Sequence, residues 1–152
     1  MRERREPDPA EILLVEDNPG DVRLTREAFK EGRIANTLHV VTDGVEALDF
    51  LFQRNEYTDA PRPDFVLLDL NLPRKNGDEV LEALREDPEC KTIPVIVLTS
   101  SSAQRDVIRS YELAANAYLT KPVDPIEFIE VVRSTEQYWL SIVRLPTDRD
   151  LK

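Results

Sequence analysis

The chain has 152 residues, 41% of them hydrophobic and 33% charged, with 30 acidic against 20 basic side chains for a net charge of −10. That length suits one domain with a sizeable core, and the acidity without a basic patch argues against nucleic acid as a partner. The single cysteine, Cys90, excludes an intramolecular disulfide; with no long apolar run and no signal-peptide core, the expected setting is the cytoplasm, with no membrane partner.

Residues 1–9 (MRERREPDP) are charged and broken by proline, which predicts a disordered tail ahead of a domain over 10–145. Residues 11–15 (EILLV) form the first apolar run, a predicted strand ending in Glu16-Asp17. Asn18-Pro19 then signals a helix start, with Asn as the cap and Pro at the first helical position. Val22, Leu24, Ala28 and Phe29 supply its apolar face, which closes near Gly32. Residues 38–41 (LHVV) read as a second strand in which His39, the only histidine, is an ordinary strand residue. Thr42-Asp43-Gly44 opens a second helix, with Val45, Leu48, Leu51 and Phe52 at helical spacing. Residues 55–63 (NEYTDAPRP) form a long polar loop.

The run Phe65-Val66-Leu67-Leu68 is uninterrupted, as in a parallel strand buried on both faces, and it ends in Asp69. Leu72-Pro73 and Asn76-Gly77 break the chain into a loop, and a helix is predicted over 79–86, stopping before Pro88. Cys90 follows in a turn with no partner for a metal site. Residues 93–98 form the next strand, running into Thr99, and a helix over 103–115 follows. The strand 117–120 ends in Lys121-Pro122. The last helix starts near Asp124-Pro125 and runs to about Arg144, before Pro146 and a tail over 146–152.

This alternation, without a repeat or a second domain, predicts an open parallel sheet with helices on both faces. Parallel strands point the same way, so Glu16-Asp17, Asp69, Thr99 and Lys121 share one sheet edge. A strand-end aspartate alone is most often a loop or cap residue; four chemically capable strand ends are not explained so simply. Three carboxylates need positive charge, from Lys121 and a hard divalent cation such as Mg²⁺. Carboxylates beside Thr and Lys suit phosphoryl transfer, with an Asp as nucleophile.

The order Glu-Asp, LLDLNLP, LTSS and YLTKP resembles the receiver domain of two-component response regulators, over roughly residues 11–135. The resemblance implies a flavodoxin-like, doubly wound five-stranded sheet in the order 2-1-3-4-5 with five helices, the last extended. It implies Asp69 as phosphoacceptor; Mg²⁺ held by Glu16, Asp17, Asp69 and the Asn71 backbone carbonyl; Thr99 and Lys121 as phosphate partners. It further implies a switch of Thr99 and Tyr118 that remodels the surface of the fourth helix, fifth strand and fifth helix, and a cis Lys121–Pro122 bond. A sensor histidine kinase is the implied partner. The loop phrases NPGD, YTDAPRPD and LNLPRKNG are similar to small stand-alone regulators that serve phytochrome-type kinases; output is then expected through a downstream protein partner, through dimerisation or by passing the phosphoryl group onward.

Two other functions compete. A phosphatase of the haloacid dehalogenase type also uses a strand-end Asp, Thr or Ser, Lys and Mg²⁺, but it needs a second Asp where Asn71 stands. A scaffold that has lost phosphorylation would not need the complete set. The last helix carries more apolar residues than one core stripe uses. Ile129, Val132, Trp139 and Val143 are expected toward the core, and Phe128, Val131, Tyr138 and Ile142 on an adjoining stripe. That stripe suits a homodimer contact, or else a broader buried face.

Overall fold

In the computed structural model, which describes residues 9–32 and 35–142 without the side chains of 138–142, strands and helices alternate from end to end. They are β1 (Ala10–Val15), α1 (Pro19–Lys30), β2 (Asn36–Val41), α2 (Gly44–Leu51), β3 (Phe65–Leu68), α3 (Gly77–Glu86), β4 (Val95–Thr99), α4 (Gln104–Glu112), β5 (Ala117–Thr120) and α5 (Pro125–Ile142). Every adjacent pair of strands is parallel, in the order β2-β1-β3-β4-β5. The flavodoxin-like expectation is met.

Alternation along the strands makes two cores. Leu13, Val15, Val66, Leu68, Val95 and Val97 join the apolar side chains of α2 and α3 on one face. Ile12, Leu14, Phe65, Leu67, Ile96 and Leu98 join those of α1 and α5 on the other. The middle strands are buried on both sides, which is why they read as unbroken apolar runs. Capping fixes where the helices start. Asn18 accepts from the Asp21 N–H at 3.0 Å and Asp43 from the Glu46 N–H at 2.7 Å. Arg85 closes the opposite end of the sheet, donating to the carbonyls of Lys91, Ile93 and Ala114.

Several expectations need correcting. Residues 55–63 are not plain loop: Asn55–Tyr57 form a 3₁₀ turn. It brings Tyr57 against Phe50, and its hydroxyl within 2.5 Å of Glu46. His39 is more than a strand filler, since its Nε2 meets Glu11 Oε2 at 2.6 Å. No described peptide bond is cis, so Lys121–Pro122 is trans; X-Pro bonds favour trans slightly, and this one leaves the Lys121 N–H on the Thr99 carbonyl at 2.8 Å. On α5, Phe128 belongs to the core with Val132, and Ile129 is only half-buried. The buried stripe is therefore Phe128, Val132 and Thr135, because α5 packs against α1 as well as the sheet. The side chains of Tyr138, Trp139, Leu140 and Ile142, all of Val143 and both predicted tails save Pro9 lie outside the described residues.

α4 is held differently from its neighbours. Its one fully buried residue is Ser110, whose hydroxyl has no hydrogen-bond partner among the described residues. Ile108 and Tyr111 on the same helix are about half exposed, as are Val123 and Ile126 more fully at the entry to α5.

Glycine matters where α3 meets β3. A Cβ on Gly77 would lie 2.3 Å from the Asp69 carbonyl oxygen and 2.7 Å from Leu70 Cα. Alanine there gains about 1 kcal/mol in helix propensity, yet the overlap with backbone costs more. Gly77→Ala should lower stability by about 1–3 kcal/mol in denaturant unfolding. An unchanged midpoint would mean that the backbone carrying Asp69 retreats freely.

Candidate functional site

β1, β3, β4 and β5 deliver their last residues to one edge of the sheet, and Glu16, Asp69, Thr99 and Lys121 meet there as the parallel topology requires. Asp69 is buried. Its Oδ1 accepts from the Thr99 hydroxyl at 2.7 Å and the Asn71 N–H at 3.1 Å, and its Oδ2 from Lys121 at 2.8 Å. Thr99 is fully buried, so its hydroxyl is fixed by that bond. The Lys121 side chain, 7% exposed, reaches three carboxylates: Glu16 at 2.5 Å, Asp69 at 2.8 Å and Asp21 at 2.9 Å.

The electrostatics follow from this crowding. Burial pushes the Glu16 carboxyl up from 4.5 to about 7; Lys121 pulls it back, and the Asp69 charge adds to the rise. Burial would by itself lower Lys121, but the bonds from Asp69, Glu16 and Asp21 outweigh it and hold the ammonium above its ordinary value. Asp17 is exposed at the mouth of the cleft. Glu16, Asp17 and Asp69 each present an oxygen, all within 4.8 Å of one another. Hard carboxylate oxygens so gathered, with a single ammonium among them, fit a divalent cation.

The remaining predicted residues lie around this centre. Asn71 is exposed and touches Asp69 through its backbone N–H. Tyr118 does not reach Asp69 directly; half-buried, it donates to the Ser101 carbonyl at 2.6 Å, while the Ser101 N–H lies 3.4 Å from the Thr99 hydroxyl. Ser101 also donates to Asp106 on α4 at 2.5 Å. The loop after Asp69 is pinned to the start of α2, where Arg74, in the left-handed region at φ 66°, pairs with Asp43. Sequence reasoning missed Asp21. The available signal was that α1 begins immediately beyond Glu16-Asp17, so its first turn must rise beside the cleft.

Residues 12–133 match the pattern of the response regulator receiver domain. The chain belongs to that family. Among curated relatives, response regulator Rcp1 of Synechocystis is 47% identical over 138 residues, 91% of this chain and 94% of Rcp1. The crystal structure of Mn²⁺-bound Rcp1 matches with a TM-score of 0.85 over 91% of this chain and all of that one. The phosphorylated cyanobacterial phytochrome response regulator RcpA matches at 43% identity and a TM-score of 0.87, over 92% of this chain and all of that one. A receiver domain takes a phosphoryl group onto an aspartate from a sensor histidine kinase, and it binds a divalent metal. As a member of that family this chain is a signalling phosphoacceptor. Among the described residues no helix is long and apolar enough to cross a membrane.

The receiver's crowded carboxylates have a measurable cost. A carboxyl whose value is raised on folding contributes stability that is complete below its unfolded value and lost as pH rises through the folded one. In chelator, stability should therefore fall across the window from 4.5 to about 7 on account of Glu16. Asp69→Asn removes one of the opposing charges and should raise stability in chelator by about 1 kcal/mol, a gain that shrinks when Mg²⁺ is added. Thermal melts across that window test both; an Asp69→Asn protein that melts lower in chelator would show that the carboxylates do not burden one another.

Proposed function

We propose that Asp69 is the phosphoacceptor of this receiver, and that it draws its phosphoryl group from a phytochrome-type sensor histidine kinase in the cytoplasm. The observation that carries the assignment is the convergence of Thr99 and Lys121 on the two oxygens of one buried carboxylate. An Asp69 oxygen attacks phosphorus in line and forms the new P–O bond. The bond from phosphorus to the histidine nitrogen, or to the oxygen of a small phosphodonor, breaks, and the leaving group departs with the electron pair. Glu16, Asp17, Asp69 and the Asn71 carbonyl would hold Mg²⁺, which when bound supplies positive charge against the phosphoryl oxygens. Lys121 and Thr99 follow the charge, moving their N–H and O–H from the carboxylate to phosphoryl oxygens. Catalysis thus lies largely in positioning and charge neutralisation by the receiver itself, and the same groups serve its own dephosphorylation. The kinase class rests on the likeness to RcpA and on the loop phrases around the acceptor.

Thr99 donates to Asp69 directly. The switch is therefore a change of partner rather than a long excursion of the hydroxyl. As Thr99 follows the phosphoryl group, Ser101 and the β4–α4 turn follow Thr99. Tyr118 and Asp106, both bonded to Ser101, then carry the movement to β5 and α4. The output is a homodimer through α5 and the elements beside it, or a downstream protein on that face. Support comes from the apolar groups exposed there: Ile108 and Tyr111 on α4, Val123 and Ile126 at the start of α5.

Acetyl phosphate with Mg²⁺ should label Asp69. Asp69→Asn should abolish labelling, and Asp17→Asn should slow it while weakening metal binding. Mass spectrometry that places the phosphate on another residue overturns the assignment. Thr99→Ala should still be labelled, yet phosphorylation should no longer alter amide exchange around Tyr118 or the mass seen by light scattering. A native protein that stays monomeric and keeps the same exchange with and without phosphate argues against both the switch and the dimer.

A further inference from the structure

An ammonium has three N–H donors, and Lys121 directs them at three different carboxylates. Two of these, Glu16 and Asp69, also belong to the oxygen cluster that fits a divalent cation; the third, Asp21, does not. Nor does Asp21 end a strand. It sits in the first turn of α1, its N–H on the Asn18 side chain at 3.0 Å and its carbonyl accepting from the Thr25 hydroxyl at 2.8 Å. Its backbone is fixed from both sides while its carboxylate reaches across the cleft to a lysine 100 residues away in sequence. An acidic residue in a first turn is ordinarily explained by the helix dipole alone. That explanation does not account for a 2.9 Å pair with a lysine side chain that is nine-tenths buried.

We infer that Asp21 is a positioning residue for phosphoryl transfer, the fixed anchor of the Lys121 ammonium. The inference rests on Asp69 being the phosphoacceptor. During transfer the Asp69 oxygen spends its charge in the new bond to phosphorus, and Glu16 would be shared with a bound cation. Both change partners; Asp21 does not. One N–H held on Asp21 keeps the other two aimed into the cleft, where they can turn from the carboxylates to the phosphoryl oxygens. Without that anchor, a flexible four-carbon side chain must be ordered anew in each reaction.

The test uses the whole protein and acetyl phosphate at saturating donor and Mg²⁺. Asp21→Asn keeps the shape and removes the charge; it should slow labelling roughly ten-fold, the lower bound for losing a hydrogen bond to a charged group. The phosphate should stay on Asp69, and Asp21→Glu should recover most of the rate. Independently of any turnover, the ¹⁵N-detected ammonium signal of Lys121 should exchange its protons with water faster in Asp21→Asn than in the native chain. Labelling at the native rate, or slower labelling with an unchanged ammonium signal, overturns the anchor. If instead the native protein is not labelled on Asp69, the phosphoacceptor reading fails, and ammonium exchange alone then decides whether Asp21 holds Lys121.

Discussion

Everything at the working edge of this molecule depends on one ammonium shared among three carboxylates. Parallel strands cannot avoid bringing Glu16 and Asp69 together, because the topology that buries their apolar runs also points all their ends at the same place, and the first turn of α1 adds Asp21. Asp69 and Glu16 are buried there, where water screens them poorly. Lys121 is enough to make the arrangement foldable and not enough to make it comfortable. A site left short of positive charge in this way is prepared for a cation and for the redistribution of charge that a phosphoryl group brings.

The scaffold holds these groups through backbone more than through side chains. Gly77 lets the start of α3 lie against the backbone of Asp69, and a Cβ on Gly44 would come within 2.0 Å of the Lys75 carbonyl oxygen. The loop after Asp69 is thus clasped between the first turns of α2 and α3, with Arg74 and Asp43 closing the clasp. Such contacts leave no space for a side chain, and so the position of Asp69 tolerates little drift.

How much of this can be read from residues alone depends on whether a signal is local. The β3 run ending in Asp69 was legible because four apolar residues bounded by polar ones admit few structures, and Asn18-Pro19 and Asp43-Gly44 carry their capping chemistry with them. The period of a helix fixes the spacing of its apolar residues and not its rotation, so the sequence places Phe128 on the outer stripe of α5. The rotation is set by α1, which packs on α5 from elsewhere in the chain. Residues 55–63 read as loop because they are polar and rich in proline; the 3₁₀ turn there goes with positive φ at Gln53 and Asn55 and with Tyr57 packing on Phe50, a contact no local pattern announces. Acids in first turns are common, and only the approach of Lys121 distinguishes Asp21.

Ser110 is the one fully buried residue of α4, and its chemistry bears on the work required to move that helix. Helices sealed into a core by leucine or phenylalanine give up about 1.5–3 kcal/mol for each such side chain that is drawn into water. Ser110 offers a hydroxyl instead, and it gives up almost nothing on leaving a site where it has no partner among the described residues. Reversing a two-state balance from one in a hundred to ninety-nine in a hundred takes about 5.5 kcal/mol. A few charge-assisted hydrogen bonds to one phosphoryl group can supply that much only if the element they displace resists weakly. On the switch proposed above, a buried serine rather than an aliphatic side chain beneath α4 keeps the work of moving the helix within reach of one small anion.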